Sequence, residues 1–213
     1  MKKLGIVMMA SLLLVLGACG KKNSDDEEIK NNNTKEELKA NNVYEVPLNP
    51  TDYQYDLYNE LSKSLTSEKE VIAKLVVQNF SADFFTLKNK GSAEAIGGLT
   101  YLPEGNREEF KVFAMNYVYA NYQTITDKYG KDNLPEVTKV VVDSIVSTVE
   151  PFTIIMEGEE EEEAQEFTEN YEGYSINVTI SYADTKVSEK DLKTTATFVI
   201  IEINNRLEII RMS

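Results

Sequence analysis

The chain has 213 residues, 42% of them apolar, and sets 36 acidic side chains against 22 basic ones for a net charge of −14. That apolar share supplies the core of one domain of ordinary size, while the acidic balance excludes nucleic acid, whose phosphates require a basic face. With no histidine, no tryptophan and one cysteine, Ser-His-Asp and Cys-His nucleophiles, His-containing zinc sites and intrachain disulfides are excluded as well.

Lys2 and Lys3 precede a continuous apolar-to-small run, Leu4 to Leu16. The uncharged span ending at Gly20 falls short of the roughly 20 helical residues that a bilayer core requires, so the segment reads as a secretory signal over residues 1–18. Leu16-Gly17-Ala18-Cys19 resembles the bacterial lipobox, whose cysteine is lipidated and becomes the mature N-terminus. Two acyl chains on Cys19 anchor stably where one does not, at about 0.8 kcal/mol per buried CH₂. The resemblance implies a domain held by lipid at the outer face of the bacterial cytoplasmic membrane, and the strongly acidic mature chain would stand off an anionic surface.

Gly20 to about Asn42 is rich in Lys, Asn, Asp and Glu and nearly free of apolar residues. Such a stretch buries too little to offset its ordering entropy, so residues 19–49 read as lipid anchor and disordered tether, with the folded domain over 50–213. Asp25 to Glu28 reads as a solvated charge run.

Thr51 can cap a first helix from about Asp52 to Leu65, along which Tyr55, Tyr58, Leu61 and Leu65 share a face. Ser67 and Glu70 have the spacing of a capping box for a second helix, whose stripe of Ile72, Leu75, Val76, Phe80, Phe84 and Leu87 is wide enough to be buried on more than one side. Lys88 to Gly91 stops it. Ile96 to Tyr101 reads as a tight turn or short edge strand, Gly97-Gly98 allowing close backbone approach. The third helix runs from Asn106 to about Tyr129 with two apolar faces, Phe110, Phe113, Ala114, Tyr117, Val118 and Ile125 on one, and Val112, Met115, Tyr119 and Tyr122 on the other.

From Pro135 the period becomes two. Glu136 to Val149, Phe152 to Met156, Tyr174 to Tyr182, and a terminal hairpin turning at Asn204-Asn205 read as strands. Helices followed by strands indicate an α+β fold, two to three helices packed on a curved antiparallel sheet. This element order, the helix ending Phe84-Phe85-Thr86-Leu87 ahead of Gly97-Gly98-Leu99, and the lipobox resemble the cone-like, nuclear transport factor 2-like (cystatin-related) domains carried by lipoproteins of low-GC Gram-positive bacteria. No catalytic signature accompanies the resemblance.

The Glu-rich run 157–169 reads as a solvated loop, since it lacks the fixed turn and alternating ligands of a cation cage. No metal or cofactor is expected. Tyr101, Tyr117, Tyr174 and Tyr182 are candidate linings of a cone pocket, and Asp83, between Phe80 and Phe84, is the one acid placed to act as a base there. No second acid is paired with Asp83, so a solvent-facing Asp83 is expected and a non-catalytic binding or interaction module is the leading function. Tyr101, Met115, Tyr117, Tyr119 and Tyr122 are its candidate contacts to an unknown protein or small-molecule partner. The alternatives are a small-molecule enzyme using Asp83 and a transporter-associated solute-binding lipoprotein.

Because Cys19 is the sole thiol, Cys19→Ala is expected to abolish metabolic labelling by a fatty-acid analogue and to release the domain or leave a precursor. Equal label on both chains would contradict this.

Overall fold

Helix formation begins where a reciprocal cap is available. The Gln54 amide donates to Thr51 Oγ1 (3.3 Å) and the Thr51 amide to Gln54 Oε1 (2.8 Å), closing a capping box that starts α1, Asp52–Lys63. The expected box at Ser67 does not form. The second helix, α2, spans Lys69–Phe85 with Glu68 at its cap and no side-chain cap bond, because Ser67 closes the preceding turn on Ser64 instead. The computed structural model describes residues 36–156 and 165–213. The signal segment, Leu16 to Cys19 and Glu157 to Ala164 lie outside the described residues.

The second helix is the hub. Leu75, Val76, Val77, Phe80, Ala82, Phe84 and Phe85 are all buried, so it packs all round, as its broad stripe requires. Of the polar groups this encloses, Asn79 donates to the Leu57 and Leu75 carbonyls (3.1 and 2.8 Å) and Gln54 of α1 donates to the Ala82 carbonyl (2.9 Å), while the buried Ser81 hydroxyl has no partner among the described residues. The helix ends at Phe85, ahead of the expected stop. Thr86 is extended and its hydroxyl accepts from the Val137 amide (3.0 Å), and the Leu87 amide donates to Pro135 O (2.9 Å). Pairing with the first strand ends this helix, in place of the Lys88–Gly91 signal.

Four strands follow: β1 Val137–Met156, β2 Gln165–Tyr182, β3 Thr195–Ile203 and β4 Arg206–Met212. They form an antiparallel sheet in the order β1-β2-β3-β4, so the α+β assignment holds, with helices on an antiparallel sheet that is not closed. β1 runs through Pro151, which an edge strand tolerates because one row of its amides is unpaired anyway. The terminal hairpin turns where expected, with Asn204 and Asn205 at φ 51° and 62°. Glu166 to Glu169, expected in a loop, lie in β2 opposite Phe152 to Ile155.

Alternation gives the sheet two unlike faces. Val140, Ile176, Val178, Phe198, Ile200 and Ile209 join the helices in the main core. Val199, Ile201 and Ile203, on the far side of β3, are buried outside that core. The long β1–β2 hairpin reaches this side, where Phe152 to Ile154 share a cavity wall with Ile203. β3 pairs with β2 only over Gly173 to Thr179, and beyond Gly173 the hairpin continues as an arm. A side chain at Gly173 would overlap the Ile200 carbonyl, so glycine lets the arm bend there. Arg211 of β4 reaches Glu150 on the arm (3.1 Å), tying it over this face.

Glu37–Ser213 forms one compact unit, which begins earlier than the expected residue 50. Tyr44 is buried, lies 5.2 Å from the Tyr101 ring and donates to Leu207 O (2.9 Å). Tyr44, with Leu38, Val43 and Val46 packed against the core, anchors a segment that composition alone assigns to the tether. No described helix is long and apolar enough to cross a membrane.

Phe84 is fully buried, with Phe80, Phe110 and Tyr119 rings 5.2, 5.2 and 5.7 Å away. Phe84→Ala is expected to cost about 3–5 kcal/mol in urea unfolding of the described domain, with a loss below about 1 kcal/mol excluding this packing.

Candidate functional site

Asp83 is the first sequence-derived candidate, and it does not face solvent. It is 8% exposed. Its Oδ1 is 2.6 Å from Lys90 Nζ, and its Oδ2 accepts from the Gly98 amide at 2.8 Å. Lys90, which sequence reasoning assigned only to the helix stop, is 5% exposed. The glycine pair makes room for this arrangement. A Cβ at Gly97 would lie 2.5 Å from Asp83 Oδ1 and from Lys90 Nζ, and Gly98 sits at φ +80° against the Phe80 ring. Of the two readings of Ile96 to Tyr101, tight turn or short edge strand, the structure takes the turn, ending in a short 3₁₀ segment, Leu99–Tyr101. A cavity of about 260 Å³ borders the pair. With one carboxylate oxygen held by a cation and the other by an amide, both oxygens of Asp83 are engaged within the fold.

The tyrosines divide. Tyr119 and Tyr122 are buried and donate to the Phe84 and Lys90 carbonyls, each at 2.6 Å. Burial raises the Tyr119 hydroxyl far above the usual phenol range, as it does for Tyr101. Tyr101 is 2% exposed and stacks in the core beside Tyr44. Tyr174 is half-buried, and so is Tyr182, whose hydroxyl donates to Lys193 O (2.9 Å). Met115 is half-buried. Tyr117 is 75% exposed.

This division mixes the two expected faces of the third helix, Phe110, Ala114 and Ile125 of one joining Tyr119 and Tyr122 of the other in the core, for a local reason. The helix is not continuous: α3 spans Arg107–Phe113, a π-helical turn covers Ala114–Val118, and α4 spans Tyr122–Tyr129. The Tyr119 amide bonds to Ala114 O at 2.8 Å, an i to i+5 bond that inserts one residue and turns the following side chains about 100°. Tyr119 and Tyr122 swing into the core, while Phe113, Tyr117 and Val118 are left on the surface. Periodicity cannot reveal such an insertion, since either face is apolar.

The displaced aromatics line a groove. Phe113 and Tyr117 lie with ring centroids 5.0 Å apart. With Val118, Leu192 and Met212 they border a cavity of about 420 Å³ between the π turn and the end of the sheet. Phe113 and Met212 continue into a smaller one of about 270 Å³ along β4. The size lies within the range of ligand sites. Of the candidate contacts, only Tyr117 is brought to this groove; Met115, Tyr119, Tyr122 and Tyr101 are not. Among the described residues, no group of three or more Asp, Glu, Cys or His side chains is placed to hold a metal ion.

Comparison with protein-family models, with curated proteins and with solved structures finds no match.

Removing one member of the buried pair leaves the other charged and unpaired, so Asp83→Ala is expected to destabilise the domain by about 3–5 kcal/mol. Asp83→Leu combined with Lys90→Met is expected to recover most of that loss in urea melts. A stable Asp83→Ala domain would remove the structural role and restore Asp83 as a candidate base.

Proposed function

We propose that the protein is an extracytoplasmic lipoprotein, anchored in the membrane through lipidated Cys19, whose domain acts as a non-catalytic interaction module. The single observation behind this reading is the outward turn of Phe113, Tyr117 and Val118 over an apolar groove, while Asp83 and the buried tyrosines are bonded into the fold. Exposed aromatic pairs of this kind give binding area at low side-chain entropy cost, and aromatic residues carry a disproportionate share of interface energy. The acidic composition keeps the domain off anionic lipid and leaves the groove open to a protein partner.

The finer fold reading, a nuclear transport factor 2-like cone, belongs to the same proposal. Helices against one face of an antiparallel sheet, and a long hairpin bending at Gly173, are in keeping with it. The enzyme alternative loses its base, because both oxygens of Asp83 are engaged.

A photo-crosslinking residue placed at Tyr117 in the anchored protein is expected to trap one reproducible partner in native membranes, and the same residue at exposed Lys131 is not. Replacing Phe113 and Tyr117 together by alanine is expected to weaken capture of that partner at least about tenfold, a loss near 1.4 kcal/mol. Equal trapping from both positions would sink the groove as the interaction surface.

A further inference from the structure

The far face of the sheet holds a second cavity, independent of the aromatic groove. It measures about 440 Å³ and lies between the arm, at Phe152 to Ile154, and the β3–β4 hairpin, at Ile203, Arg206 and Glu208. Glu208 is 7% exposed and lines it. Among the described residues no hydrogen bond reaches its carboxylate, and its ion pair is with Arg206 Nε at 3.3 Å. Arg206 is drawn away from it. The guanidinium donates to the Thr100 carbonyl and lies 5.0 Å over the Tyr44 ring. Among the described residues Arg206 is the one ionic partner of the carboxylate, which keeps acceptor capacity toward the cavity.

We infer that this cavity binds a small organic cation, an ammonium on an apolar body, through the Glu208 carboxylate. The wall carries Glu104 and Glu208 with Arg206, and Arg107 lies within electrostatic reach of Glu208, so the preference for a cation comes from the chain's net charge of −14, which draws cations and repels anions. An ammonium supplies the charge-assisted hydrogen bond that Glu208 lacks. Phe152, Ile154 and Ile203 supply the apolar wall for the body of the ligand. Burial raises the Glu208 carboxyl above its ordinary value and Glu104 adds to this, although Arg206 and Arg107 oppose it.

Calorimetric titration of the full chain with 2-phenylethylammonium, with neutral 2-phenylethanol alongside, tests the inference. The ammonium is expected to bind with Kd about 1 mM or tighter, and the alcohol at least about tenfold more weakly. Glu208→Gln is expected to abolish the difference. Phe152→Ala, on the arm and outside the main core, is expected to weaken the ammonium while leaving the melting temperature unchanged. If Glu208→Gln does not fold, the native comparison and Phe152→Ala still decide. Equal affinity for the two probes, undiminished binding in Glu208→Gln, or no binding of the ammonium to the native chain would overturn the inference. Tyr117→Ala is expected to leave the titration unchanged; a loss there would move the ammonium to the aromatic groove and overturn the assignment to Glu208.

Discussion

The buried Asp83–Lys90 pair is the constraint around which the helical half is arranged. Two opposite charges at 5% and 12% side-chain exposure are tolerated only when geometry and hydrogen bonds offset their desolvation. The surrounding chain meets that demand. The Gly98 amide completes the carboxylate, Gly97 leaves the space a methyl group would fill, and the Tyr122 hydroxyl engages the carbonyl of Lys90 itself. The long irregular connection between the second and third helices is thereby fixed, although it holds little regular structure of its own. Such a pair adds little net stability against an apolar replacement, and its contribution is to specify one path for this loop.

On the other side of the sheet a different compromise operates. Gly173 admits β3 so closely that the β1–β2 arm bends toward the side of Val199, Ile201 and Ile203. The cover is partial, because the arm follows strand geometry and the β3–β4 turn projects beneath it. What remains between them is a cavity and a carboxylate without hydrogen bonds. In the main core Gln54, Asn79, Tyr44, Tyr58, Tyr119 and Tyr122 find backbone acceptors, while the buried Ser81 hydroxyl has none among the described residues.

Period and punctuation made the regular elements legible. The buried second helix, the half-buried strand Tyr174 to Tyr182 and the Asn204-Asn205 hairpin follow from stripe width, strict alternation and residues that accept positive φ. Three features lay beyond that reach for physical reasons. Tyr44 is the one fully buried anchor of its segment, with Leu38, Val43 and Val46 partly buried beside it, too few apolar residues for a composition window to separate from the tether. Asp83 reads as solvent-facing because its partner Lys90 looks like a helix-stop charge, and only the glycine turn brings the two together. Arg206 and Glu208 alternate with apolar neighbours on an edge strand, where the pattern predicts solvent, and the arm that encloses them is visible only in three dimensions.

The aromatic groove is the point at which the buried pair and the surface meet. A continuous α-helix from Arg107 to Tyr129 would bury one apolar face and turn the other outward. The core requires Tyr119 and Tyr122, since their hydroxyls pair the Phe84 and Lys90 carbonyls, which would otherwise be enclosed without donors. It also requires Phe110, half a turn earlier in phase, against Phe80 and Phe84. No single α-helical face presents all three, and the π turn together with the break at Tyr119 to Asn121 brings them to the core. Phe113, ahead of the π turn, and Tyr117 and Val118 within it lie at the surface. Nothing inside the domain needs those side chains to be apolar once they are displaced; serine or lysine would serve the fold as well at Tyr117. Their apolar character on the surface is therefore free of the fold's demands, which is why it is read as addressed to a partner.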